Sequence, residues 1–481
     1  MGAKPWIEHW DPEDDAFWEQ RGRGVARRNI TFSIFAEFLA FCIFTLWSVT
    51  AVSLNRAGFH FSTAQLFTLV ALPTLVGATL RVPYTFAVAR FGGRNWTTVS
   101  ALALLVPAGL LVLMVSRPET PYWALLLAVA TAGFGGGNFA SSMANISYFY
   151  PDKRKGVALG LNAAGGNIGV AVAQLVVPIV ITWSAIAVVG GSQGKTQGRN
   201  GSMFLQNAGL FWMPFIVAAA ICAWLFMDNL KVSRAPVREQ MGIFRRKPTW
   251  IMSLLYVGTF GSFLGYSSGL PLLIKSQFPN VTLSVAYLGP LVGSLARPVG
   301  GWLSDRLDGA RVTFASFGAM ILAVAGVIFC LAHRTQPWAF AGFFASFLVL
   351  FVLTGIANGS TFQMIPKAFQ AHHLRAAAGA GEAGRLAALG AARVETAAAL
   401  GFIAAIGAYG GWLIPQGYGV STSLTGGPIA ALWGLIAFYV VCLAVVRWNF
   451  LRPAPLPVES EPAFAGEGVS SSVGNRYEIV R

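Results

Sequence analysis

Charged side chains are scarce in this chain. Asp, Glu, Lys and Arg make up 11% of its 481 residues, against about a quarter in a soluble domain. Hydrophobic residues make up 55%, and the mean hydropathy is +0.61. This balance excludes a soluble globular protein and implies a polytopic membrane protein. Short alternating strands are missing too, which excludes a closed β-barrel, the other way to satisfy a backbone inside lipid. Cysteine is rare: Cys42, Cys222, Cys330 and Cys442 each stand alone in a different apolar run. They show no metal or redox spacing, so they read as packing residues. Residues 1–29 carry acids and arginines but no apolar segment. They form a polar head rather than a secretory signal peptide.

What is present are apolar runs of about 20 residues or more, enough to span roughly 30 Å of hydrocarbon as helix. Twelve transmembrane helices are predicted, near 30–53, 64–90, 96–115, 122–150, 156–184, 205–228, 249–275, 282–306, 312–333, 338–370, 393–415 and 427–450. The formal net charge of +15 does not point to nucleic acid, because its distribution follows the spans. With the N-terminus inside, only Arg56, Arg117, Lys195, Arg199, Lys275 and Arg334 fall outside, while Arg81 and Arg297 fall within spans. That positive-inside bias places both termini in the cytoplasm. It also gives some attraction to anionic lipid of the bilayer.

The chain divides in two. After the head, 30–230 forms a first six-helix half and 249–451 a second, joined by the basic, proline-flanked linker 231–248. The tail, 452–481, is rich in Pro, Ser and Gly and reads as disordered. The halves echo each other. Arg81 and Arg297 stand in equivalent helices, each is followed closely by proline (Pro83, Pro298), and each is followed nine residues on by Arg90 or Arg306. A Gly-rich basic turn then closes each helix, FGGR at 91–94 and LDGAR at 307–311. Related halves mark secondary transporters, whose sites lie near the midplane where the repeats meet. Two arginines at matching depth should therefore face one central cavity. Independent snorkelling is the alternative, but a residue so far from its helix end does not easily reach the interface.

Two glycine-rich stretches, GFGGGNFASSMANISYFYPDKRKGVALGLNAAGGNIGVAVAQ (133–174) and GIANGSTFQMIPKAF (355–369), complete the pattern. GFGGG follows no strand and has no phosphate-binding lysine nearby, so it is not a nucleotide loop. Small residues in membrane helices let backbones approach closely, and flat faces let helices slide as a cavity opens alternately. Asn138, Asn167 and Asn358 offer amides inward. The segment RPVGGWLSDRLDGAR (297–311) resembles the loop motif of the major facilitator superfamily, with Gly301, Asp305, Arg306, Gly309 and Arg311 matching and one spacer residue altered. There Asp305, Arg306 and Arg311 form a conformational latch. The first-half copy lacks the acid.

The paired glycine-rich stretches resemble the signature motifs of the nitrate/nitrite porter family (NarK-like) within that superfamily. WDPEDDAFWEQRGRGVARRNITFSI (10–34) and WIMSLLYVGTFGSFLGYS (250–267) are similar to the same group. The resemblance covers about residues 10–450. It departs at the basic, alanine-rich stretch 371–393 and at the loop 190–201. It implies an all-α major facilitator fold in a bacterial inner membrane, acting as a monomer on nitrate and nitrite. By resemblance, Arg81 and Arg297 clamp the anion. Asn167 donates an amide hydrogen bond, Tyr256 offers a hydroxyl, and Phe139 and Phe260 sandwich the flat ion with Phe41 nearby. Gly165 and Gly401 line the route. The chemistry suits the residues: a planar guanidinium presents parallel N–H groups to two oxygens of a planar anion, and lysine cannot.

No metal site, cofactor motif or nucleophile–base constellation is visible, so neither a cofactor nor an enzyme is expected. No Asp or Glu is expected deep within a predicted span; Glu37, Asp305 and Glu395 are placed within about two turns of cytoplasmic helix ends. All five histidines, His9, His60, His333, His372 and His373, fall outside the spans. A proton-coupled carrier usually presents a carboxylate or histidine relay, so the expectation is nitrate/nitrite antiport. Nitrate/proton symport, a carrier of another small anion and a nitrate-binding membrane sensor are the alternatives.

Overall fold

An apolar run surrounded by lipid must satisfy every backbone group within itself, and a helix does so. In the computed structural model, which describes residues 5–186, 189–193, 202–231 and 241–452, the apolar runs are helices. The first half comprises α1 (Arg23–Leu54), α2 (Thr63–Phe91), α3 (Gly93–Val115), α4 (Tyr122–Phe149), α5 (Asp152–Val180) and α6 (Asn207–Phe226). The second comprises α7 (Lys247–Gln277), α8 (Leu288–Leu307), α9 (Gly309–Ala332), α10 (Ala339–Ala376), α11 (Gly381–Ala408 and Gly410–Thr425) and α12 (Ile429–Val446). Eleven of these, α8 excepted, are long and apolar enough to cross a bilayer on composition alone. Helix α8 carries Arg297, Asp305 and Arg306, which lower its hydropathy. The repeat identifies it as the twelfth span.

The repeat is also visible in the backbone. Helix α2 leads into α3 through Gly92 at φ 85°, and α8 leads into α9 through Asp308 at φ 72°, each at the same distance after its arginine. Inside each half, the arginine-bearing helix packs on a glycine-rich one: α2 on α4, and α8 on α10. The seam between halves is built by α2 against α11 and by the equivalent pair α5 against α8, with α1 against α7.

Three expectations about the ends need correction. The head does not stop where α1 begins. The helix starts at Arg23, and Trp10 and Trp18 pack in a small cluster with Ala26, Phe149 and Leu230. Ile7 pairs with Leu230 in an isolated extended bridge, and buried Asp228 takes hydrogen bonds from Arg28 at 2.6 Å and Asn29 at 2.9 Å. The stretch 371–393, expected to fall between the tenth and eleventh helices, is largely helical: it continues α10 through Ala376 and starts α11 at Gly381. The eleventh span, expected at 393–415, lies over Ala398–Thr425. Alanine-rich, basic sequence is good helix former, so these helices run past the apolar limit. Arg246, His373 and Glu395 tie α7, α10 and α11 together there, with Arg246 Nη2 2.7 Å and His373 Nε2 2.9 Å from the carboxylate. Residues 194–201 of the loop, 232–240 of the linker and 453–481 of the tail lie outside the described residues.

Candidate functional site

The two intramembrane arginines do meet at one place. Arg81 is fully buried in α2 and Arg297 is buried in α8. Arg81 Nε donates to the carbonyl of Gly136 on α4 at 3.0 Å, and Nη1 donates across the seam to the carbonyl of Ala404 on α11 at 2.9 Å. Arg297 Nη2 donates to the Tyr256 hydroxyl at 3.3 Å. One nitrogen of each, Arg81 Nη2 and Arg297 Nη1, is buried without a partner. Leaving a charged donor buried and unpaired costs at least about 1–3 kcal/mol, so the pair is poised for an acceptor.

The rings around them offset part of the burial. The Arg81 guanidinium carbon lies 4.7 Å from the centre of the Phe139 ring and 4.8 Å from that of Phe260. Arg297 lies 5.8 and 6.0 Å from the same two rings, and 5.5 Å from Phe362. Desolvated cation–π contacts of this kind are worth about 2 kcal/mol each. A widened turn at Val257–Gly261 in α7, of the π type that often marks functional sites, carries Phe260 and follows Tyr256 directly. Phe41 meets Phe139 edge-on, with ring centres 6.1 Å apart.

The expected sandwich is not formed in this conformation. Phe139 and Phe260 stack on each other, with centres 5.5 Å apart and planes 26° off parallel. A flat ion between them needs two contacts of roughly 3.5 Å each, so the rings must part to admit it. Asn138, Asn167 and Asn358 are buried, and the side-chain oxygen of each has no partner. Gly401 faces Thr85 and lines a cavity of about 440 Å³, whereas Gly165 packs against Ile34 of α1. That cavity runs from Lys155 at the head-side end of α5 to Phe139 and Phe362. The far side is sealed. Gln174 of α5 donates to the Ser267 carbonyl of α7 at 2.6 Å, Thr68 of α2 donates to Gln416 of α11 at 3.2 Å, and Phe67 meets Tyr418. In keeping with a head-side opening, Asp305, Arg306 and Arg311 are exposed at the end of α8 and the start of α9. Arg306 lies over Trp302, 4.3 Å from its ring centre, and Asp305 forms no ion pair with either arginine.

One sequence expectation fails here. Glu37 is not near a helix end; it is fully buried. Because α1 starts at Arg23, the carboxylate lies fourteen residues in, about 21 Å along the axis. It accepts hydrogen bonds from Ser142 of α4 and from Asn162 of α5, the latter at 2.8 Å, and it interacts electrostatically with both Arg81 and Arg297. Glu37, Ser142, Asn162 and Phe362 are site neighbours that sequence reasoning missed. For Phe362 a signal existed, since it stands one turn from Asn358 in a stretch already singled out.

Two related six-helix bundles meeting at a buried, positively charged centre form the architecture of a secondary transporter. The Major Facilitator Superfamily model matches residues 34–392. Nitrate/nitrite transporter NarU of Salmonella typhimurium is 44% identical over 453 residues, covering 93% of this chain and 97% of the relative. NarU of Escherichia coli is 44% identical over 92% of this chain and 95% of its own length. "Probable nitrate/nitrite antiporter NarK2" of Thermus thermophilus is 38% identical over 90% and 94%. The chain belongs to the NarK-like nitrate/nitrite porter family of the Major Facilitator Superfamily. Among solved structures, a bacterial homologue of the lysosomal transporter Spinster in an inward-facing, occupied conformation superposes with a TM-score of 0.58 at 15% identity, covering 87% of this chain and 95% of its own. The nucleoside transporter NupG does so with 0.54 at 13% identity, over 87% and 98%. These two likenesses concern the fold alone.

Proposed function

We propose that this protein carries nitrate and nitrite across a bacterial inner membrane by alternating access, as a monomer with both termini in the cytoplasm. The observation that carries the reading is the arginine pair: two guanidiniums over the same two rings, each with a buried nitrogen lacking an acceptor. A small planar anion supplies acceptors to both. Asn167, Tyr256, Phe139, Phe260 and Phe41 shape its surroundings, and Gly401 lies on the cytoplasmic route. Asp305, Arg306 and Arg311 act as a latch that engages when the cytoplasmic side closes, and the family names of the relatives support the choice of ion.

The mode we propose is exchange of nitrate for nitrite. Without a compensating carboxylate, an empty site holding two cations would resist passage through the seam, whereas an anion-filled one would pass more easily. The antiporter name of the Thermus thermophilus relative supports this. Buried Glu37 favours a second mode, proton-coupled uptake. The test is nitrate uptake into vesicles of purified protein. Nitrite-loaded vesicles should take up nitrate, whereas chloride-loaded vesicles should not in the absence of a pH gradient. Equal uptake with chloride inside would remove the exchange reading.

A further inference from the structure

The proposed exchange makes no use of Glu37, yet few residues of this chain are more costly to bury. A lone carboxylate out of water is strongly disfavoured unless it is paired or changes protonation. The groups that act on it come from four helices: Ser142 of α4, Asn162 of α5, Arg81 of α2 and Arg297 of α8. Tyr256 of α7, which also titrates, interacts with the same two arginines. Oε2 of Glu37 takes the Ser142 and Asn162 hydrogen bonds. Behind it, Ser142 Oγ lies 2.9 Å from Ser33 Oγ and accepts from Asn162 at 2.6 Å. Oε1 has no partner at all. It faces α5 beside Gly166, where an added Cβ would come within 2.6 Å, and the next residue along is Asn167. Glu37 thus feels both arginines while staying beyond the 4.0 Å of a direct ion pair, leaving them free for a second anion.

We propose that Glu37 is the proton-carrying counter-ion of the arginine pair, ionised when the site is empty and protonated when an anion occupies it. The inference rests on the proposed nitrate/nitrite transport and deepens it. The charge balance is simple. With the site empty, two guanidiniums and one carboxylate leave a single positive charge. With an anion bound and Glu37 protonated, the balance is the same single positive charge. Both forms therefore meet a similar electrostatic barrier at the seam, and the empty carrier can return. The proton comes from water on the loading side, bonds to the unpartnered Oε1, and leaves as H⁺ with the anion on the opposite side. No other bond changes and no redox partner is needed. A carrier lacking this carboxylate would be restricted to exchange. This one supports exchange and proton-coupled uptake together.

The test uses full-length protein in vesicles holding a trapped pH dye. Two rates are measured: nitrate uptake into anion-poor vesicles under an inside-alkaline gradient, and exchange into nitrite-loaded vesicles without a gradient. For the natural chain, gradient-driven uptake with parallel internal acidification is expected. In Glu37→Gln the ratio of gradient-driven uptake to exchange should fall at least tenfold, and Glu37→Asp should restore much of it. Exchange with no gradient-driven uptake in the natural chain, gradient-driven uptake without internal acidification, or an unchanged ratio in Glu37→Gln overturns the proton-carrying role and leaves the transport reading standing. Absence of both rates in the natural chain overturns the transport reading itself.

Discussion

Arg81, a residue of the first half, donates from Nη1 to the carbonyl of Ala404 in the second half at 2.9 Å. This bond spans the seam that must open and close in alternating access. On the proposed reading, an arriving anion would compete with that carbonyl for the same guanidinium, which would link loading to movement of the halves.

Replacing either arginine by lysine keeps the charge and loses the fork. Each charge-assisted bond removed costs about 1.5–3 kcal/mol. Arg81→Lys and Arg297→Lys should therefore reduce uptake at fixed nitrate concentration by roughly ten- to a hundredfold, with the purified protein retaining its melting temperature within a few degrees. Near-normal uptake by either lysine variant would show that paired N–H donors are not what holds the ion.

The far-side seal makes a separate prediction. Gln174 donates to the Ser267 carbonyl at 2.6 Å across the seam. One such bond contributes about 0.5–1.5 kcal/mol net, so Gln174→Ala should shift the balance of states toward far-side opening by roughly two- to twelvefold. Spin labels at Ser62 and Ser423, both exposed at the far ends of α2 and α11, should report a larger long-distance population. An unchanged distance distribution would mean that the seal rests on the apolar contacts alone.

Glycine contacts differ sharply along the chain. An added Cβ at Gly359 would stand 2.2 Å from the Arg297 carbonyl oxygen, whereas at Gly160 nothing lies within 4 Å. Gly359→Ala should destabilise the protein by about 1–3 kcal/mol, the usual overpacking cost, and slow uptake by displacing Arg297. Gly160→Ala should be neutral or stabilising by up to about 1 kcal/mol, from helix propensity. Thermal melts and uptake rates on the two variants check the contrast.

The tie at the head-side end of the second half carries a pH dependence. Burial alone would raise the Glu395 carboxyl, but hydrogen bonds from Arg246 and His373 outweigh it and hold it below the ordinary value of 4.5. A group depressed in the folded state adds stability above its unfolded pKa and loses it as pH falls through the folded one. The melting temperature of the natural chain should therefore decline as pH drops below about 5, and Glu395→Gln should show a lower plateau with a shallower decline. Parallel curves would mean that the carboxylate contributes nothing to the fold.

The spans and the arginine pair were legible because hydropathy and internal repetition are local properties of a sequence. Helix α8 is instructive: its charges depress its hydropathy, and Arg297 with Arg306 nonetheless marks it as the counterpart of α2. The depth of Glu37 was not legible. It depends on where α1 begins, and the helix takes in the polar residues 23–29, of which only Ala26 and Val25 pack on the folded head. The ring stacking of Phe139 on Phe260 was also out of reach, since it depends on the conformational state and not on composition.

The packing of the head sets where the first half can be cut. Trp10 donates from its indole nitrogen to the Tyr148 carbonyl at 3.0 Å, and just past α6 the Ile7 N–H donates to the Asn229 carbonyl while the Ile7 carbonyl accepts from the Lys231 N–H. A chain shortened to begin at residue 30 would strip Trp10 and Trp18 from Phe149 and leave Asp228 without Arg28 and Asn29. Affinity tags and fluorescent fusions therefore belong ahead of residue 5 or beyond residue 452, and the polar leader of this carrier is a structural part of its first half.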